Sequence, residues 1–245
     1  VIVEPGPTAN FSATTVCHGD TTVFTDQSTG TSGAIITWAW DMGGAGAYVG
    51  PTSSSSEDPI FIYTNAGIYN VTLTVTDDNG CIGDTTIIVT VDTLPIANFS
   101  ATEICHGDTT VFTDQSTGTS GTIITWSWDM GGVGAYVSPT SSSSPDPIFI
   151  YTNAGTYNVT LTVTDDNGCI HDTTIVVIVR PNPTANFSAT TICEGDTTLF
   201  TDLSTTISPL GGSIITWSWD MGGAGSYVSP TTSISEDPVF VYSND

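Results

Sequence analysis

Residues 17–22 read Cys-His-Gly-Asp-Thr-Thr, which puts a thiol, an imidazole and a carboxylate within four positions. Such a set has three uses: a nucleophile with its base, a group of metal ligands, or a structural corner. The segment returns at 105–110 unchanged and at 193–198 as Cys-Glu-Gly-Asp-Thr-Thr, so His18 and His106 give way to Glu194. His171, which follows a second kind of cysteine position, has Gly83 as its counterpart. A catalytic or ligating histidine belongs in every working copy. The cysteine and the Gly-Asp-Thr-Thr that follows are what the copies share, and the elements around them must explain why.

Those elements repeat. Ala-Asn-Phe-Ser-Ala-Thr occurs at 9–14, 97–102 and 185–190, a spacing of 88 residues. Aligning 10–97 with 98–185 leaves 15 differences in 88 positions. The third copy carries three extra residues within Thr-Thr-Ile-Ser-Pro-Leu-Gly-Gly-Ser (205–213) and stops soon after Tyr242, the counterpart of Tyr63 and Tyr151. The expected organisation is a tail of a preceding repeat at 1–8, repeats at 9–96 and 97–184, and a shortened repeat at 185–245, in a chain expected to continue on both sides.

Within one repeat the runs are short, rich in β-branched and aromatic residues, and bounded by Gly, Pro, Asn and Asp. Strands are expected near 9–14, 21–28, 35–42, 59–64, 67–76 and 85–91, with a short one around Tyr48. Tyr69, Val71, Leu73 and Val75 share one face of the clearest strand, with Asn70, Thr72, Thr74 and Thr76 on the other. Asn79-Gly80 is a hairpin signal leading into Thr85–Val91. Trp38 and Trp40 share a face of a strand expected to be central. No helical period occurs. About seven strands in about 88 residues predict an all-β fold of tandem immunoglobulin-like sandwiches in an extended rod.

The segments Ile-Thr-Trp-Ala-Trp-Asp-Met-Gly (36–43) and Asp58–Gly80 resemble the PKD domain, and the resemblance covers essentially the whole chain. Met42 stands where the family has an aromatic residue, and the family's second Asp is lost from that loop. The form with Cys before Gly-Asp and another after Asp-Asn-Gly is similar to PKD arrays of secreted, cell-surface Bacteroidetes proteins. The resemblance implies stalks, adhesins and accessory modules of secreted hydrolases, and no catalysis.

The repeat sorts the five cysteines into pairs. Cys17 is expected to bond Cys81 and Cys105 to bond Cys169, each 64 residues apart, with Cys193 joined to a partner outside the chain near position 260. Disulfides point to an oxidising, extracellular setting. Asp-Thr-Thr recurs five times and Asp92-Thr93-Leu94 adds a variant. This makes Thr21, Thr85, Thr93, Thr109, Thr173 and Thr197 candidates for O-glycosylation, with ordinary strand starts as the alternative. Asp77, Asp78, Asp165 and Asp166 sit in oxygen-rich turns and are weak calcium candidates. No other cofactor is expected.

Composition excludes further classes. Twenty-five acids face one base, Arg180, for a net charge of −24. Nucleic acids and anionic membrane surfaces need Lys/Arg patches, and no apolar run reaches membrane-spanning length. The expected function is structural or adhesive: a stalk or self-assembled fibre whose partners are neighbouring repeats, further copies or surface glycans. The alternative is a carbohydrate-binding accessory region of a secreted hydrolase, for which Trp38 and Tyr48 are the candidate aromatic platform.

Overall fold

A computed structural model describes residues 4–193, 195–207 and 209–243. The tail expected at 1–8 is thus described only from Glu4, and Glu194 lies outside the described residues. Every regular element among them is a strand.

The first repeat holds eight: β1 (Phe11–Ala13), β2 (Val16–Cys17), β3 (Thr22–Asp26), β4 (Ile35–Asp41), β5 (Gly46–Tyr48), β6 (Ile60–Tyr63), β7 (Gly67–Asp77) and β8 (Ile82–Asp92). They form two sheets, ordered β1-β3-β6-β5 and β2-β8-β7-β4. Alternation dictates which residues enter the core. Val71, Leu73 and Val75 of β7 and Val89 and Val91 of β8 meet Phe11, Phe24, Phe61 and Tyr63 of the other sheet, with Trp40 and Met42 filling the rest. Phe11 and Trp40 pack edge to face at 4.9 Å, and Tyr63 stacks on Tyr69 at 3.9 Å.

The long hairpin is the frame of the repeat. β7 and β8 pair from Gly67↔Val91 to Thr76↔Ile82, ten consecutive antiparallel partners. Gly80 turns it with φ +80°, a left-handed conformation that favours glycine. β4 pairs with β7 on one side only, so Trp38 and Trp40 lie on an edge strand rather than a central one. The added element is β2, two residues paired in parallel with the far end of β8: Val16↔Val91 and Cys17↔Asp92. A two-residue parallel contact carries no alternation, so the strand pattern does not reveal it.

The second repeat copies the first with β9 (Phe99–Ala101), β10 (Ile104–Cys105), β11 (Thr110–Asp114), β12 (Ile123–Asp129), β13 (Gly134–Tyr136), β14 (Ile148–Tyr151), β15 (Gly155–Asp165) and β16 (Ile170–Arg180). Its sheets are β13-β14-β11-β9 and β10-β16-β15-β12. The third repeat has β17 (Phe187–Ala189), β18 (Thr198–Asp202), β19 (Gly225–Tyr227) and β20 (Val239–Tyr242) in one sheet, β17-β18-β20-β19. By contacts the chain divides into two compact units: Val1–Phe99 with Asp114–Trp128 and Leu161–Thr173, and the remainder. The turn of the β15–β16 hairpin therefore belongs to the unit that contains the first repeat.

Candidate functional site

The Cys-His-Gly-Asp segment is the corner after β2. His18 N–H donates to the Asp92 carbonyl at 2.7 Å, Asp20 N–H to the Cys17 carbonyl at 3.0 Å, and Gly19 takes φ +97°. The His18 ring donates through Nε2 to the Thr64 carbonyl at 3.0 Å. His106 does the same to Thr152 at 2.9 Å. Both imidazoles tie the corner to the loop before the long hairpin, and neither serves as base to a thiol. His171 does different work: its Nδ1 accepts the Ala97 N–H at 3.0 Å, fixing the chain as it enters the second repeat. At the counterpart Gly83 the entering backbone at Pro7 packs so close that a Cβ would collide with it. The wandering histidine is an adjustment to the incoming chain.

The cysteines pair across repeats. Cys17 is bonded to Cys169, with Cα atoms 5.5 Å apart, while Cys81, Cys105 and Cys193 are free. This corrects the expected pairings Cys17–Cys81 and Cys105–Cys169, and the reason is strand length. Cys17 lies opposite Asp92 at one end of β8, and Cys81 precedes Ile82 at the other. Eleven strand residues at about 3.3 Å each hold them roughly 35 Å apart. A disulfide needs Cα atoms within about 7 Å. Cys105, opposite Arg180 at the end of β16, is equally distant from Cys169. Each complete repeat thus carries one cysteine at its exit end and one at its entrance end, and the bond joins exit to next entrance. Burial alternates along all eleven residues of β8, and that strand length, which the sequence pattern at 85–91 only partly shows, sets its two ends far apart.

The Asp turns are built for geometry. Asp77 Oδ1 accepts the Asn79 and Cys81 N–H groups at 3.0 and 2.9 Å, and Asp165 repeats this with Asn167 and Cys169. Asp166 Oδ1 accepts the Thr122 N–H at 2.8 Å. Asp77 and Asp165 are buried, each with Oδ2 unpartnered. Among the described residues no three His, Cys, Asp or Glu side chains converge as a metal site. In the third repeat the Ser204 hydroxyl and the Trp217 indole hold the Asp202 carboxyl below its usual range.

Thr21, Thr109 and Thr197 are exposed in the corner loops, and Thr93 is exposed with its hydroxyl donated to Thr119 at 2.7 Å. Thr85 and Thr173 differ. They lie mid-strand in β8 and β16 and are half-buried on the inward side. Trp38 and Tyr48 do not form an open platform. Both are half-buried against the core, the Trp38 indole donating to Asp26 at 2.9 Å and Tyr48 packing on Phe61 at 5.0 Å. Of the one base, Arg180 meets Glu103 at 2.9 Å on the surface. Such a pair contributes about 0–1 kcal/mol.

Comparison with known proteins follows the same lines. The family described as PKD domain matches residues 4–91 and 92–179. The pre-pro-metalloprotease PrtV of Vibrio cholerae serotype O1, in two strains, is 33% identical over 160 residues, 63% of this chain and 16% of the relative. The chain thus spans about 16% of the length of these curated relatives. Among solved structures, the PKD1 domain of Vibrio anguillarum Epp is 32% identical, covering 37% of this chain and 99% of that one, with a TM-score of 0.32. The PKD1 domain of the Vibrio cholerae metalloprotease PrtV is 31% identical, covering 35% and 96%, with a TM-score of 0.29.

Proposed function

The chain belongs to the PKD-domain family, and on that premise we propose that it is a non-catalytic extracellular repeat segment whose work is mechanical, spacing or anchoring as part of a stalk or fibre. The observation that carries this reading is the Cys17–Cys169 bond, which joins one repeat to the next. It spans 152 residues and, in the chain-entropy account, contributes about 5 kcal/mol. Under tension the force passes through the two sulfurs, and the residues between them are shielded from extension. A bond of this kind also belongs outside the reducing cytosol. The exposed loops at Thr21, Thr109 and Thr197 fit such a setting.

Single-molecule stretching tests the reading. The oxidised chain is expected to extend about 500 Å less than the reduced one, since 152 hidden residues contribute roughly 3.3–3.6 Å each. Equal extension before and after reduction removes the mechanical reading. A second reading, an accessory region of a larger secreted hydrolase, is favoured by the match to a metalloprotease of which this chain covers only a small part. Retention on an insoluble polysaccharide or protein substrate would select it.

A further inference from the structure

Identical residues behave differently in the second and third repeats. Ile-Ile-Thr-Trp-Ser-Trp-Asp forms β12 at 123–129 but takes no strand at 214–220. In the first two repeats this segment has the long hairpin as its neighbour. In the third, the sheet β17-β18-β20-β19 faces an open groove of about 450 Å³ lined by Phe187, Phe200, Trp217, Trp219, Met221 and Tyr242. Phe187 is 56% exposed where Phe11 and Phe99 are 4%, and Tyr242 is 38% exposed where Tyr63 is 3%. The first repeat shows what covers this face: Val71, Leu73, Val75, Val89 and Val91 of a β7–β8 hairpin.

A separate observation names the same occupant. Cys105 is exposed and free at the corner of the second repeat. Its counterpart Cys17 is bonded to the turn cysteine of the following repeat's hairpin. The thiol that matches Cys105 is therefore one carried on the turn of a hairpin seated in the third repeat.

We propose that the open face of the third repeat takes a two-stranded β-hairpin of the Gly155–Arg180 type, and that Cys105 closes a disulfide with that hairpin's turn cysteine. The bond repeats Cys17–Cys169 one repeat further on. Its formation is a two-electron oxidation: two thiols release two protons and two electrons to a small-molecule disulfide, which leaves as two reduced thiols. β-Strand addition supplies main-chain hydrogen bonds along 214–220, and alternate apolar side chains fill the groove.

The test adds a synthetic peptide with the sequence of residues 155–180 to the full chain in a buffer of oxidised and reduced glutathione. The expected product is a one-to-one adduct, lighter than the sum of its parts by two hydrogens, whose linked fragments join the peptide cysteine to Cys105. Residues 214–220 are expected to gain amide-exchange protection at least tenfold. Cys105→Ser should abolish the adduct and keep the protection, whereas Cys81→Ser and Cys193→Ser should leave both unchanged. A second arm appends the same 26 residues behind Asp245, which covers a peptide that fails to fold alone. The proposal is overturned if neither arm protects 214–220, or if the new bond forms at Cys81 or Cys193. It is also overturned if the chain alone dimerises with 214–220 already protected, because a second copy then fills the groove.

Discussion

Thr22 shows how much a single side chain can decide. It is fully buried, as is Thr110 in the second repeat, and neither hydroxyl has a hydrogen-bond partner. An unpaired buried hydroxyl costs about 1–3 kcal/mol, so an isosteric methyl in its place removes a penalty and leaves packing intact. Thr22→Val is expected to raise stability by about 1 kcal/mol, read as a higher denaturant midpoint at unchanged slope. A lower midpoint would mean that the hydroxyl is satisfied in solution. The neighbouring Thr21 is exposed, so adjacent threonines of one Asp-Thr-Thr motif face opposite ways: one packs in the core, the other meets solvent.

At the scale of elements, the stacked tyrosines join the two sheets of a repeat. Tyr63 of β6 donates its hydroxyl to the Met42 carbonyl at 3.0 Å and stacks on Tyr69 of β7; Tyr151 does the same with Met130 and Tyr157. Burial, then the adjacent tyrosine, pushes both phenols well above their ordinary value of 10.0. The folded state therefore keeps protons that the unfolded state loses near that value. The stability they contribute is complete below about pH 10 and declines as pH rises further. An alkaline titration should show loss of β-sheet circular dichroism together with a late step in tyrosinate absorbance. If every tyrosine ionised near pH 10 while the sheet signal held, the two buried phenols would not couple the sheets.

At the scale of the whole molecule, charge and cross-linking oppose each other. Twenty-five acids and one arginine leave the chain self-repelling, and among the described residues Arg180–Glu103 is the one ion pair. Self-repulsion between exposed charges is screened within about 8 Å at 0.15 M salt, against about 30 Å at 0.01 M. Raising salt over that range is expected to raise the melting temperature by about 2–4 °C, corresponding to roughly 1 kcal/mol. A melting temperature indifferent to sodium chloride but raised by calcium would show that divalent cations already neutralise specific carboxylates. The inter-repeat disulfide offsets this repulsion covalently, and it acts where repeats meet rather than within one sandwich.

What the sequence determined by itself is the repeat and the sandwich. An 88-residue period, alternation in Tyr69–Val75 and the Asn79-Gly80 turn are local, and local patterns state which face is core and where the chain reverses. The same patterns point to a structural use of the cysteines, since the histidine beside them changes from copy to copy; Cys17 and Cys169 are bonded, and Cys81, Cys105 and Cys193 are free. Those patterns did not decide the partners. A cysteine's spacing of 64 or 152 residues along the chain carries no distance until strands have length and direction, and β8 places Cys17 and Cys81 at opposite ends of one sheet. Tertiary structure alone decided the state of Ile-Ile-Thr-Trp-Ser-Trp-Asp as well. Those seven residues pair in a sheet where a long hairpin lies beside them and form no strand where none does, because a strand's hydrogen bonds belong to its neighbour as much as to itself.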